Sequence, residues 1–257
     1  MSESRGRRLP AGWRVVFHEV VGSTNDVAMD LARAAEPEGA VVWAARQDSG
    51  RGRNGRSWVS EAGNLYCSIL IRPRCRPPVA ATLGFVAALA VAETVSAYAP
   101  REEVRIKWPN DVLIGGAKVA GILIEADLDI AGIVDALVIG IGINVAHAPP
   151  SSATRYPTTS LRARMGDAGP EPVEVLERLC ESLGNLLDLW RREGFGPVRD
   201  LWLARARGLG ESIAIATGDD VVNGVFEGLD DDGALVLRCK DGARRISAGD
   251  VLFGGAI

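Results

Sequence analysis

The chain has 257 residues, 47% of them apolar and 24% charged, with a net charge of −4. That length buries a substantial core, and the acidic surplus excludes general adhesion to nucleic acid, which needs a broad basic surface. No apolar run follows the N-terminal arginines as a secretory leader requires, and Val79 to Ala92 is shorter than the roughly 20 residues of a membrane span. The four cysteines (Cys67, Cys75, Cys180, Cys239) form no CxxC pair, so a reducing, cytoplasmic setting without structural zinc is expected.

Trp13 to Val20 reads as a strand. Ser23-Thr24-Asn25-Asp26 opens a helix, with Ser23 and Asp26 at capping-box spacing and Val27, Leu31 and Ala35 recurring every four residues. Ala40 to Ala45 and Leu65 to Ile71 are strands on either side of the polar, glycine-rich Arg46 to Trp58. Pro77 to Tyr98 reads as a buried helix. Val104 to Trp108 is a strand stopped by Pro109. Asp111 to Ile114 and Ala117 to Glu125 form a hairpin around Gly115-Gly116, and Ile133 to Val145 is a further strand. Residues 146–160 read as a loop, Pro170 to Arg192 as an amphipathic helix and Phe195 to Arg205 as a shorter one. After Gly208-Leu209-Gly210 come short strands at 213–216, 221–227, 234–238 and 244–247, the pattern of a small β-barrel. The expected class is α+β: a mainly antiparallel sheet with helices on one side, over 1–207, and a small all-β unit over 208–257.

Four segments carry chemistry. In Gln47-Asp48-Ser49-Gly50-Arg51-Gly52-Arg53-Asn54-Gly55-Arg56-Ser57-Trp58, three glycines free the backbone and three arginines converge forked donors suited to carboxylate or phosphate. Alone, the segment reads as an anion-binding loop, a solvated loop or a nucleic-acid contact. Lys107-Trp108-Pro109-Asn110-Asp111 places an ammonium and a carboxylate on either side of a strand break, fit for phosphates and magnesium or for a surface ion pair. Lys118 enters the apolar run Val119 to Ile124, so it is either functional or at the strand's wet end. Gly140-Ile141-Gly142-Ile143-Asn144 puts glycines inside a strand, marking close approach by a ligand or a bulge, beside an amide suited to a base edge.

Taken in order, Ser23-Thr24-Asn25, GRGRNGRSW, KWPND, KVAGILIE and GIGIN resemble the biotin protein ligases over about residues 14–257, and the ending resembles that family's small SH3-like domain. The resemblance implies a class II synthetase-like core that forms biotinyl-5′-AMP from biotin and ATP with Mg2+. Biotin is then passed to a lysine of a carboxylase's biotin carboxyl carrier domain. It implies that Ser23, Thr24, Asn25, Gln47 and the Gly50-Arg51-Gly52-Arg53 backbone hold biotin, and that Arg51, Arg53 and Lys118 act at the carboxyl. Arg53, Arg56, Trp58, Lys107, Asn110, Asp111 and Asn144 would serve ATP and the adenylate, with Asp111 toward the metal and Tyr156 near adenine. The first strand begins near Trp13, so the resemblance is to monofunctional members, monomeric or homodimeric, without a DNA-binding domain. A lipoate–protein ligase is the nearest alternative; a nucleic-acid-binding module is remote from it. Only three of the 29 basic residues are lysines. Lys107 and Lys118 fall inside these motifs, and Lys240 falls in a polar turn.

Overall fold

The computed structural model describes residues 9–150, 156–166, 169–218 and 220–253. Its main body is a seven-stranded sheet made of β1 (Arg14–Val21), β2 (Ala40–Gln47), β3 (Leu65–Ile71), β4 (Val104–Lys107), β5 (Asp111–Ile114), β6 (Ala117–Leu128) and β7 (Val134–Ile143). The spatial order is β1-β2-β3-β7-β6-β5-β4. Only β1 and β2 run parallel. A parallel pair needs a crossover, and here it is helix α1 (Thr24–Arg33).

The two faces of the sheet are covered differently. Leu65, Cys67, Ile69 and Ile71 of β3, with Leu137, Ile139, Ile141 and Ile143 of β7, face the main core. Helices α3 (Leu83–Tyr98) and α5 (Pro172–Glu193) pack there. The short α2 (Pro77–Ala81) leads into α3, and together they make an apolar run of 22 residues, longer than the Val79 to Ala92 stretch and largely buried within the protein. The main helical layer therefore lies on one side, as expected. Helix α1 is the exception: the crossover places it on the opposite face, where Ala28 and Ala32 lie against Val42, Leu70, Ala136 and Val138. The small alanines on the helix allow this close approach to the strands.

The expected Ser23–Asp26 capping box does not form. Ser23 is the N-cap but makes no side-chain cap bond, and the Asp26 carboxylate binds Arg51 instead. Within the loop expected over 146–160, residues 151–155 lie outside those described; a one-turn helix, α4 (Leu161–Met165), follows it.

A second sheet follows helix α6 (Phe195–Leu203). It contains β8 (Ser212–Thr217), β9 (Asp220–Leu229), β10 (Leu235–Cys239), β11 (Gly242–Ile246) and β12 (Asp250–Leu252), antiparallel in the order β11-β10-β9-β8-β12. The three-residue β12 is absent from the sequence reading, because Asp-Val-Leu is too short to show alternation. Its core residues Ile215, Phe226, Leu235, Leu237 and Val251 belong to the same apolar cluster as the main sheet. Phe85 and Trp202 meet edge to face at 5.4 Å in that cluster. Trp108 donates its Nε1–H to the Gly233 carbonyl at 3.3 Å, a second tie between the sheets.

Arg72, only 16% exposed, secures the far end of α1. It donates to the Ala32 carbonyl (2.9 Å), to the Glu36 carbonyl through Nε and Nη2 (3.0 and 2.8 Å), and to Asp135 Oδ2 (2.8 Å), while its backbone N–H donates to Glu38 (3.1 Å). Removing a half-buried guanidinium orphans several acceptors at once. Arg72→Ala is expected to lower unfolding free energy by about 3 kcal/mol in urea titration, and a loss below about 1 kcal/mol would show these bonds to be peripheral.

Candidate active site

One row of paired residues crosses the sheet. Lys107 of β4 pairs with Asp111 of β5, Asp111 with Gly121 of β6, Gly121 with Gly142 of β7, and Gly142 with Tyr66 of β3. Directly paired residues point to the same face, so this row places pieces of three distant motifs side by side on the face that α1 only partly covers. On β7 that face runs Ala136, Val138, Gly140, Gly142. The side chains shrink to nothing where the helix ends, which opens a floor.

Lys118 reaches this face through an irregularity. Val112 pairs with Ala120 but Leu113 pairs with Lys118, so Val119 is an extra residue on β6. Strict alternation from Gly121 would turn Lys118 toward the buried helical layer. The bulge turns it to the cleft, a use of bulges that is common beside functional sites. There Lys118 Nζ lies 2.5 Å from Asp111 Oδ1 and 5.2 Å from the Trp58 ring.

Above the floor is a cleft of about 630 Å³. Its first wall is a hydrogen-bonded chain. The Thr24 N–H and hydroxyl donate to Gln47 Oε1 at 2.8 and 3.0 Å, Gln47 Nε2 donates to Ser60 at 2.9 Å, and Ser60 donates to the Trp58 carbonyl at 3.0 Å. In the other direction, the Ser68 hydroxyl lies 2.7 Å from Thr24 Oγ1 and 2.6 Å from Asn25 Oδ1, and Asn25 Nδ2 donates to Glu125 at 2.6 Å. Ser23, Thr24, Asn25 and Ser68 are all buried, so these bonds fix amide and hydroxyl orientations in a low-dielectric wall. Gly140 makes room for it: a Cβ there would collide with Asn25 Oδ1.

The arginine loop forms the roof. Gly50 accepts from the Trp58 N–H at 2.8 Å and Arg56 accepts from the Gly52 N–H at 2.7 Å, around a 3₁₀ turn Arg53–Gly55 with Asn54 at φ 56°. Trp58 lies flat on the glycine floor, where a Cβ at Gly142 would be 2.6 Å, and one at Gly121 2.9 Å, from its ring. Arg51 forks onto Asp26 at 2.6 and 2.8 Å and reaches Glu125 at 3.4 Å. The bond from Arg51 outweighs the opposing effect of burial and holds the Asp26 carboxyl below its ordinary value. Arg53 points to Asn110 Oδ1 (3.4 Å) and the Gly249 carbonyl (3.5 Å), and Arg56 bonds Asp250. Burial alone would raise the Asp250 carboxyl, but the Arg56 bond and the Arg56, Arg53 and Lys107 charges bring it below the ordinary carboxylate value. Lys107 is buried, with Nζ 3.7 Å from the Tyr156 ring centroid.

The structure thus gathers Ser23, Thr24, Asn25, Gln47, Arg51, Gly52, Arg53, Arg56, Trp58, Lys107, Asn110, Asp111, Lys118 and Asn144 around one cleft. Gly50 stands behind the lining, packed so closely on Ser60 and the Trp58 carbonyl that a Cβ would lie 2.5 Å from each. Asn144 is buried, and its Nδ2 donates to the Thr159 carbonyl at 3.0 Å. Sequence reasoning missed Ser60, Ser68 and Asp250 altogether. It used Asp26 only as a helix cap and gave Glu125 no role, although both stand in segments it singled out. Asp111 and Asp250 are the carboxylates lining the cleft, and no group of three metal-ligating side chains occurs among the described residues.

Residues 17–144 match the Biotin/lipoate A/B protein ligase family, and residues 208–254 match the Biotin protein ligase C terminal domain. The biotin–[acetyl-CoA-carboxylase] ligase of Paracoccus denitrificans is 43% identical over 236 residues, spanning 91% of this chain and 98% of that protein. The structure of the Aquifex aeolicus biotin protein ligase in complex with biotin and ATP superposes with a TM-score of 0.79 at 28% identity, covering 93% of this chain and 97% of that one. The Leishmania major biotin protein ligase in complex with biotinyl-5-AMP gives 0.65 at 25% identity, covering 91% and 99%. Matched by these family models across both of its sheets and by a relative 43% identical over most of its length, the chain belongs to the biotin protein ligase family.

Proposed function

We propose that this protein condenses biotin with ATP to biotinyl-5′-AMP and then biotinylates one lysine of a carboxylase's biotin carboxyl carrier domain. In the first step a biotin carboxylate oxygen attacks the α-phosphorus, the bond to the bridging oxygen breaks, and pyrophosphate leaves. In the second, the carrier lysine's amine attacks the acyl carbon, AMP leaves with the C–O electron pair, and the amine loses a proton as the amide forms. Residues 1–207 carry this chemistry in our reading, and residues 208–257 form an accessory unit at the rim of the cleft.

One observation carries the reading: a polar wall, a flat glycine floor and a cluster of cations share one cleft. A ureido ring presents N–H and C=O groups that Ser23, Thr24, Asn25 and Gln47 can satisfy. The dithiolane of lipoate presents none, so it would cover this polar wall and strip its water without offering hydrogen bonds in return. The side-chain-free floor of Gly121 and Gly142, on which Trp58 rests here, suits a thin, apolar chain that takes the place of the indole. In this reading Lys118 serves the biotin carboxylate, where attack brings two anions together. Arg53, Arg56 and Lys107 serve the phosphates, and Asn144 serves adenine. The role implied for Arg51 at the carboxyl requires its fork to exchange Asp26 for the substrate.

Catalysis of this kind is mostly positioning and charge stabilisation. A magnesium ion arriving with the triphosphate needs only one or two protein carboxylates, and Asp111, on the floor beside Lys118, fits that need. When bound, the ion neutralises phosphate charge. Asp111 meanwhile orients the Lys118 ammonium, and Asn110, which donates to the Ile122 carbonyl at 2.8 Å, presents its oxygen to Arg53.

The deciding experiment measures pyrophosphate release with ATP plus biotin and with ATP plus lipoate, then the mass of a carrier domain after incubation. One biotinyl group on the carrier is expected, and turnover with lipoate alone overturns the reading. Lys118→Arg keeps the charge but replaces a compact donor with a broad fork, so adenylate formation is expected to fall at least about tenfold, or 1.4 kcal/mol. Near-normal turnover would make Lys118 structural. Gly142→Ala drives a methyl into the Trp58 ring and is expected to cost roughly 1–3 kcal/mol of stability, the usual scale of overpacking, and to raise the KM for biotin about tenfold. An unaltered KM would remove the floor from the biotin site.

A further inference from the structure

The terminal strand of the second sheet supplies an anion to the roof of the cleft. Three consecutive residues of this strand region contact the main body. The Gly249 carbonyl accepts from Arg53 at 3.5 Å, the Asp250 carboxylate bonds Arg56 and lies 3.9 Å from Arg53, and the Val251 carbonyl accepts from the Tyr156 hydroxyl at 3.2 Å. The Asp250 side chain is only 17% exposed, and it lines the cleft with both arginines. A Cβ at Gly249 would lie 2.7 Å from Ile215 and 2.8 Å from the Ala216 carbonyl, so this strand sits tightly against β8 and presents its carboxylate from a fixed base.

We propose that Asp250 is a positioning residue that holds the place of phosphate between Arg53 and Arg56, so that a polyphosphate enters by taking these guanidinium groups over from a carboxylate. This rests on reading the cleft as the nucleotide site. A guanidinium edge bonds one oxyanion at a time, so the edge of Arg56 turned to Asp250 is closed to phosphate until the carboxylate yields. Asp250 also places a negative charge where the incoming anion brings several. Without it, Arg53 and Arg56 of the roof would stand near Lys107 of the sheet with one carboxylate fewer between them, and the cleft would attract small anions more strongly. With it, a monoanion gains little by exchange, whereas a triphosphate or pyrophosphate can engage all three cations at once. Asp250 thus acts through the arginines: it keeps the loop docked to the second sheet, sets a preference for polyanions, and eases the departure of pyrophosphate.

The test compares wild type with Asp250→Asn, which keeps shape and removes charge, and with Asp250→Ser, should the amide variant not fold; a melting curve qualifies each. Inorganic pyrophosphate is the probe for calorimetric titration, alongside KM values for ATP and for biotin. Loss of the carboxylate is expected to tighten pyrophosphate binding by about tenfold, the scale of one charge removed beside a bound anion in a half-screened site. The KM for ATP should fall and the KM for biotin should stay unchanged. Asp250→Glu should restore the wild-type values, and in an Arg56→Gln background the loss of Asp250 should have a smaller effect, because only Arg53 is then released. Unchanged or weaker pyrophosphate binding by the charge-free variants, with wild type binding normally, overturns this inference alone. Failure of the wild type to bind pyrophosphate, or to release it from ATP and biotin, overturns the reading of the cleft as well.

Discussion

Five cations, Arg51, Arg53, Arg56, Lys107 and Lys118, line one cleft of a protein whose net charge is negative. Their mutual repulsion is the constraint around which the rest of the site is organised, because a partly buried charge needs a partner within a few ångströms. Each carboxylate that answers it comes from a different element. Asp26 comes from the first turn of the crossover helix, Asp111 from the start of β5, Glu125 from the middle of β6, and Asp250 from the last strand of the second sheet. The cleft is therefore a place where four separate pieces of chain are pinned by charge.

Neutral parts of the site answer to a different requirement, close approach. Gly121 and Gly142 pair directly across β6 and β7, and Gly140 leaves space for Asn25. On the opposite face of the same strand, Ile139, Ile141 and Ile143 fill the main core. One ten-residue strand thus serves as packing wall on one side and as binding floor on the other. The alternation Ile-Gly-Ile-Gly-Ile is the sequence trace of that division of labour. The hydrogen-bonded wall from Glu125 to Trp58 stands on this floor and depends on it, since a side chain at 140 would displace Asn25 and unlink the chain at its middle.

How far this was legible in the sequence depends on the range of the interaction. The strand at 65–71, the hairpin around Gly115-Gly116 and the long helix ending near residue 192 follow from periodicity and turn chemistry, and they stand as read. The motif set located nearly every cleft residue because those residues are concentrated in short segments. What escaped is what only three-dimensional pairing decides. The face on which α1 lies follows from the parallel pairing of β1 with β2. The orientation of Lys118 follows from one extra residue in a register. The partner of Arg51 is a residue that local spacing marks as a helix cap, and Asp250 stands in a strand of three residues among other acidic turns. Ser68 looks like any polar interruption of an apolar strand until Thr24 and Asn25 are seen above it.

The two lysines of the cleft differ from its arginines in the element that carries them. Both belong to the sheet, whereas the three arginines belong to the loop, and the chemistry of the side chains accounts for the division. A guanidinium suits a loop: its reach and its fork allow it to bond two oxygens at once, as Arg51 does with Asp26. On the floor, room is scarce, because Trp58 already lies against Gly121 and Gly142. An ammonium on a flexible stem fits its compact charge against Asp111 at 2.5 Å in the narrow space over Gly121, where a Cβ would lie 3.3 Å from Nζ, whereas a planar fork needs more room. Lys240, in the turn between β10 and β11, is exposed and meets no such demand. The scarcity of lysine across the chain thus has no structural cause, but the positions of two of the three do. At both points a compact cation rises from the sheet into the cleft, Lys118 against Asp111 and Lys107 against the Tyr156 ring.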